Sequence, residues 1–160
     1  GSIIVFTRSK DRATRLWRSL HSRGMYEVSY LHSDRVQADR EQVLVDFKEG
    51  KYRILIATDV AGRGIHVDGI AHVINYDLPM EPEDYIHRIG RTGRQGEVGK
   101  ATTFVTTRDR ALIRSIEKIL AKIIPAEYRD GVGPDSGQAP VRHGSGRPGP
   151  YRPGKKRSSR

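Results

Sequence analysis

The sequence predicts an α/β fold, a mostly parallel sheet flanked by helices on both faces, and three observations carry that expectation. Short apolar runs of strand length alternate with segments whose apolar residues recur every three or four positions. Polar clusters follow the strand candidates at Thr7-Arg8-Ser9, His32-Ser33-Asp34 and Thr58-Asp59, and open parallel sheets bind ligands at those carboxyl ends. The pattern fades after Pro125: of the 30 residues from Gly131 onward, 16 are Gly, Pro or Ser. Such a stretch cannot bury enough apolar surface to offset its ordering entropy. Residues 3–125 therefore read as one domain and 126–160 as a disordered, basic Gly/Pro/Ser/Arg-rich tail. Gly1-Ser2 reads as an expression scar before an abrupt strand, which puts the start inside a longer protein.

Ile3-Ile4-Val5-Phe6 is a short apolar run that predicts a buried strand. Ser9 or Lys10 opens a helix whose apolar positions are Ala13, Leu16, Trp17 and Leu20, with Gly24 as its stop. A second strand near Val28 to Leu31 leads to a helix over Gln37 to Lys48 that carries Arg40, Val43, Leu44 and Phe47 on one side and ends at Gly50. Arg53 to Ala57 and Ala71 to Tyr76 predict the third and fourth strands. Pro82 suits the first turn of a helix reaching Ile89, because it lacks the amide that would go unbonded there. Ala101 to Val105 predicts a fifth strand. The last helix should run from Arg108 to Ile123 with Leu112, Ile116, Ile119, Leu120 and Ile123 buried.

Composition narrows the function classes. The chain has no cysteine, which excludes a disulfide framework or a zinc ribbon and fits a cytoplasmic setting. It has no apolar run long enough to span a bilayer. Net charge is +10, and seven of the 29 Lys and Arg lie between Arg142 and Arg160 with no acidic residue among them. A tail of this kind attracts polyphosphate backbones by counterion release, or keeps the protein soluble.

The densest chemistry lies in Tyr85-Ile86-His87-Arg88-Ile89-Gly90-Arg91-Thr92-Gly93-Arg94-Gln95-Gly96. Arg88, Arg91 and Arg94 are spaced three apart, so on a helix ending in a loop they can point the same way. Arginine suits phosphate because its planar fork makes paired hydrogen bonds and stays charged at any working pH. Glycines nearby allow close approach.

This string resembles the last motif of the DEAD-box RNA helicases. Phe6-Thr7-Arg8-Ser9 resembles the first motif of that family's second motor domain, Gln37-Ala38-Asp39-Arg40 its Gln-x-x-Arg motif, and Ala57-Thr58-Asp59-Val60-Ala61-Gly62-Arg63-Gly64-Ile65 the motif that follows. All four occur in order and cover Ile3 to about Ile123. The resemblance implies a RecA-like three-layer domain that binds ATP with Mg2+ and RNA together with an N-terminal RecA-like domain of the same parent chain. It implies that Arg91 and Arg94 act as arginine fingers on the terminal phosphate, and that His87 couples the ATP and RNA sites unless it is packed for structural reasons. Gly64 and position 66 would meet the nucleotide. Thr7, Arg8, Arg40, Thr58 and Gly64 would hold the RNA backbone without reading bases. Arg88 would make an internal ion pair with Asp59, and Arg63 would either contact ligand or pair with a carboxylate.

Three positions depart from the family pattern. His66 stands where an Asp usually meets the ATP ribose, Gly62 replaces the usual Ala, and Ser33 replaces a Gly between His32 and Asp34. A phosphate-gripping loop of the form Gly-x-x-x-x-Gly-Lys-Ser/Thr is absent: Gly99-Lys100 is followed by Ala101, and Arg94 occupies the first glycine's place. There is no Asp-Glu-Ala-Asp string, so the metal ligands are expected on the N-terminal domain, and the isolated chain is expected to be inactive as an ATPase. Two other readings remain: an ATP-independent RNA-binding module, and a platform that docks protein partners.

Overall fold

Alternate residues of one strand, Ile4 and Phe6 on one side and Val5 on the other, enter two different clusters of apolar side chains. A strand buried on both faces belongs in the middle of a three-layer sandwich. The computed structural model describes residues 1–62, 67, 70–93 and 99–127. The five strands are β1 (Ser2–Thr7), β2 (Val28–Leu31), β3 (Ile54–Thr58), β4 (Ile70–Asn75) and β5 (Lys100–Thr103). They form one sheet in the order β2-β3-β1-β4-β5, and every pairing is parallel. Val5 lies opposite Ile56 on one side and Ile74 on the other.

Helix α1 (Lys10–His21) covers one face, where Ala13, Leu16, Trp17 and Leu20 pack on Val5, Val28 and Ile56. Ser9 caps it, its hydroxyl accepting from the Arg12 amide at 3.3 Å. Gly24 takes φ +84, a left-handed turn that glycine enters without a Cβ clash, and the Met25 amide reaches back to Leu20 O at 3.1 Å. Helix α2 (Gln37–Lys48) covers the other face through Val43 and Phe47 and ends before Gly50, as the spacing predicts. A single turn, α3 (Asp59–Gly62), continues from β3 and was not foreseen. Helix α4 (Pro82–Ile89) spans the predicted bounds with Pro82 in its first turn.

Two expectations need correction. The fifth strand stops at Thr103, and Phe104 and Val105 lie beyond it, 53% and 47% exposed. The last helix is α5 (Arg110–Leu120), preceded by one 3₁₀ turn, and Ala121 ends it at φ 49. Its buried stripe is Leu112, Ile113, Ile116 and Leu120, packed with Leu78, Tyr85, Ile86 and Ile124. Ile119 and Ile123 are 48% and 62% exposed. At 100° per residue Ile119 sits on the flank of that stripe, and Ile123 follows the left-handed residue that breaks the phase. The expected tail lies largely outside the described residues, and Gly1–Pro125 forms one compact unit. Among the described residues no helix is long and apolar enough to cross a membrane.

Candidate functional site: the carboxyl edge of the sheet

An all-parallel sheet delivers the ends of its strands to one edge. Here that edge carries Thr7 and Arg8 after β1, His32 to Asp34 after β2, Thr58 and Asp59 after β3, and Asn75 to Asp77 after β4. The Arg88 guanidinium lies in the middle of it, 2% exposed.

Arg88 grips Asp59 with a two-pronged fork, Nε donating to Oδ1 at 2.6 Å and Nη2 to Oδ2 at 2.7 Å. Its Nη1 donates to Asn75 Oδ1 at 3.2 Å and to the Asp77 carbonyl at 2.6 Å. The flat cation rests 5.1 Å from the centroid of the Phe6 ring. A buried charge is tolerable only when its hydrogen-bonding capacity is met, and this one is met by three elements of the sheet edge. The internal pair with Asp59 is the one the sequence suggested.

Asp77 forms the second knot. It is 8% exposed, accepts from the Arg8 amide at 3.0 Å through Oδ2, and pairs with Arg12 Nη1 at 2.7 Å through Oδ1. One residue thereby ties the β1 loop, the first turn of α1 and the end of β4 together. Sequence reasoning missed Asp77, Asn75 and the role of Phe6. A detectable signal for Asp77 was its place as the first acidic residue past β4, at the edge where ligands collect.

Of the predicted contact residues, Thr7, Arg8 and Thr58 stand at the strand ends beside these knots, and Arg40 lies in the first turn of α2. Thr7 is fully buried and its hydroxyl donates to Ser9 O at 3.3 Å. Thr58 is 8% exposed, Arg8 is exposed, and Arg40 on α2 is half-buried. After β2, Asp34 pairs with Lys10 at 2.7 Å and accepts from the Ser33 hydroxyl at 3.3 Å. The hydrogen bond from Lys10 holds the Asp34 carboxyl below the ordinary carboxylate range, and the same contact raises the Lys10 ammonium.

Past Arg88, His87 is exposed, Gly90 closes α4, and Arg91 is half-buried in the turn that follows, its amide donating to Arg88 O at 3.2 Å. Thr92 then forms a bridge to Ile70 and bonds its hydroxyl to the Ile70 carbonyl. Arg63, Gly64, His66 and Arg94 lie outside the described residues. Gly62 is buried, and a Cβ there would lie 2.7 Å from Cε1 of Phe6, the ring beneath Arg88. The departure from Ala therefore makes room for that ring.

The all-parallel five-stranded sheet, with Arg88 and Arg91 at a helix end on its carboxyl edge, is of the RecA-like class. Residues 1–96 match the family model of the helicase conserved C-terminal domain. The chain belongs to that family, in its DEAD-box branch. The ATP-dependent RNA helicase CshA of Listeria monocytogenes is 50% identical over 119 residues, 74% of this chain and 23% of that protein. The DEAD-box ATP-dependent RNA helicase CshA of Bacillus subtilis is 49% identical over 115 residues, 72% of this chain and 23% of that protein. This chain thus spans about a quarter of the length of these relatives. Among solved structures, S. cerevisiae Dbp5 bound to RNA and ADP BeF3 superposes with a TM-score of 0.72 at 40% identity, covering 78% of this chain and 33% of that one. The E. coli DEAD-box protein SrmB bound to RraA gives a TM-score of 0.75 at 35% identity, covering 87% of this chain and 81% of that one.

Proposed function

We propose that the chain is the C-terminal motor half of an ATP-dependent RNA helicase that remodels or locally unwinds RNA duplexes. The observation that carries this reading is the Arg88 lock. It anchors the last turn of α4 to Asp59, Asn75 and the Asp77 carbonyl, so the segment that begins at Arg91 starts from a fixed point on the ligand-binding edge. A guanidinium held in advance where charge develops needs no reorganisation during reaction. Arg91 and Arg94 are assigned as arginine fingers, His87 as the link to the RNA site, and Gly64 and His66 as contacts to the nucleoside end. An arginine finger contributes roughly a thousandfold or more in rate.

The donor chemistry fits a triphosphate from one side. Guanidinium groups match phosphate oxygens. We assign the magnesium ligands and the phosphate-gripping loop to an N-terminal RecA-like domain of the parent protein. ATP bound with magnesium between the two domains would supply phosphoryl transfer to water, and the loss of the terminal phosphate would loosen the hold of the two domains on RNA. On this side Arg8, Arg40, Thr58 and Gly64 would contact the RNA backbone, and Thr7, turned inward, shapes the loop that presents Arg8. Recognition is then sequence-independent and salt-sensitive. Zero cysteines suit a cytoplasmic enzyme.

The chain alone should show no RNA-stimulated ATP turnover. Joined to its N-terminal domain it should turn over ATP, and Arg94→Ala or Arg91→Ala should remove that turnover while RNA affinity stays within about twofold. An ATP-independent RNA-binding module would show the opposite split, and turnover by the chain alone would refute the two-domain assignment.

A further inference from the structure

A row of five rings crosses the α1 face of the domain along β2, the open edge strand. Tyr26 meets His21 at 4.9 Å between centroids, His21 meets Trp17 at 5.1 Å, Trp17 meets Tyr30 at 5.1 Å, and Tyr30 meets His32 at 5.2 Å. The row begins at the exposed Tyr26, 68% open to solvent. It ends at His32, in the loop after β2, at the same carboxyl edge as the proposed RNA contacts Arg8 and Thr58. The rings come from two sources. Tyr30 lies on the α1 side of β2 and His32 follows two residues on, while Trp17 and His21 stand one helical turn apart on α1; Trp17 and Tyr30 are half-buried against Val5, Val28 and Ile56, and Trp17 Nε1 donates to the Val28 carbonyl at 3.1 Å.

Cations accompany the rings. The Arg35 guanidinium lies 4.4 Å from the Tyr30 centroid, and Arg18, exposed, stands about 100° round α1 from Trp17 and about 60° from His21. Acidic groups among the described residues of this strip are already engaged: Asp34 with Lys10 at 2.7 Å, and Glu27 beside Arg53 at 3.9 Å. Asp11 lies two turns before Arg18 on the same outward side of α1, about 10 Å along the helix. Rings interleaved with positive charge are the composition that takes single-stranded nucleic acid, bases stacking on π-faces and phosphates meeting cations.

We propose that this ring row is an extension of the RNA site that holds single-stranded RNA running along the β2 edge, away from the strand-end loops. The inference rests on the RNA reading of those loops and deepens it, because it gives the domain a longer footprint than backbone contacts at the sheet edge provide. Stacking on rings is indifferent to base identity, so the extension preserves sequence-independent recognition.

Trp17 is the single tryptophan of the chain and sits at the centre of the row, so its emission reports occupancy directly. The experiment titrates the full 160-residue chain with a short oligouridylate that fills only the strand-end site and with a longer one that reaches along α1. Anisotropy and Trp17 emission are followed together. The expected result is saturable quenching by the longer RNA alone. The double variant Tyr26→Ala, His21→Ala, with circular dichroism matching the parent, should bind the longer RNA at least about fivefold more weakly and the short one unchanged. If the variant keeps the parent's affinity for the longer RNA, the row is not an RNA surface and the extension is overturned alone. That is also the outcome expected if the strip serves an acidic protein. If the parent chain binds neither RNA, the strand-end reading fails and takes the extension with it.

Discussion

Replacing Arg88 by Met should unfold much of the domain's stability margin, and the structure sets the size of the effect. Met keeps a flexible apolar stem over the Phe6 ring but removes both prongs to Asp59 and the bonds to Asn75 and the Asp77 carbonyl. Breaking a buried ion pair by removing one partner costs about 3–5 kcal/mol, because the surviving charge stays desolvated. Asp59 retains 24% of its side-chain surface exposed, so water can reach its carboxylate in part, which places the expectation near the lower end, at about 3 kcal/mol. Asp59→Asn strands the more deeply buried partner, Arg88, at 2% exposure, and should cost at least as much. Against a total of about 5–15 kcal/mol for a domain, either change is visible as a drop in urea midpoint with the slope unchanged. The double variant should lose less than the sum of the singles, since the two groups form one network. Losses below about 1 kcal/mol for both single variants, or strict additivity, would refute the view that this fork anchors α4 to the sheet edge.

Two further outcomes follow from contacts beside the lock. Gly62→Ala, which restores the residue usual in the family, places a Cβ 2.7 Å from Phe6 and should destabilise by about 1–3 kcal/mol through overpacking; a thermal melt of the variant at or above the parent's midpoint contradicts this. His72, hydrogen-bonded to Thr102 Oγ1 at 2.9 Å, has its pKa lowered from 6.5, first by burial and then by Lys100. The unfolded chain therefore takes up this proton before the folded one does, and stability falls as pH drops through about 6.5, levelling off below the depressed folded value. His72→Gln should flatten that part of the melting-temperature profile, and superimposable slopes for the two proteins would remove His72 as its source.

Much of the architecture is legible from neighbours in the chain. Gln37–Lys48 and Pro82–Ile89 form where apolar spacing, Pro82 and Gly50 place them, because these signals act over one or two helical turns. The pairing of Arg88 with Asp59 is legible through family resemblance, as is the clustering of motifs at strand ends. The buried stripe of α5 is less so. Periodicity specifies that one face is apolar, but which of Ile113 and Ile119 turns inward depends on where Leu78 and Tyr85 stand.

Composition and local pattern are thus enough for the parallel α/β sandwich, its motif order and its basic character, since propensity, periodicity and charge are properties of short segments. Asp77 bonding Arg8 across 69 positions, Gly62 yielding space to Phe6, and five rings from α1, β2 and their loops falling into one row come into being with packing. The first two join residues distant in the chain and the third joins a helix to the next strand, each meeting dictated by sheet order and by side chains filling space. No window along the sequence contains that information.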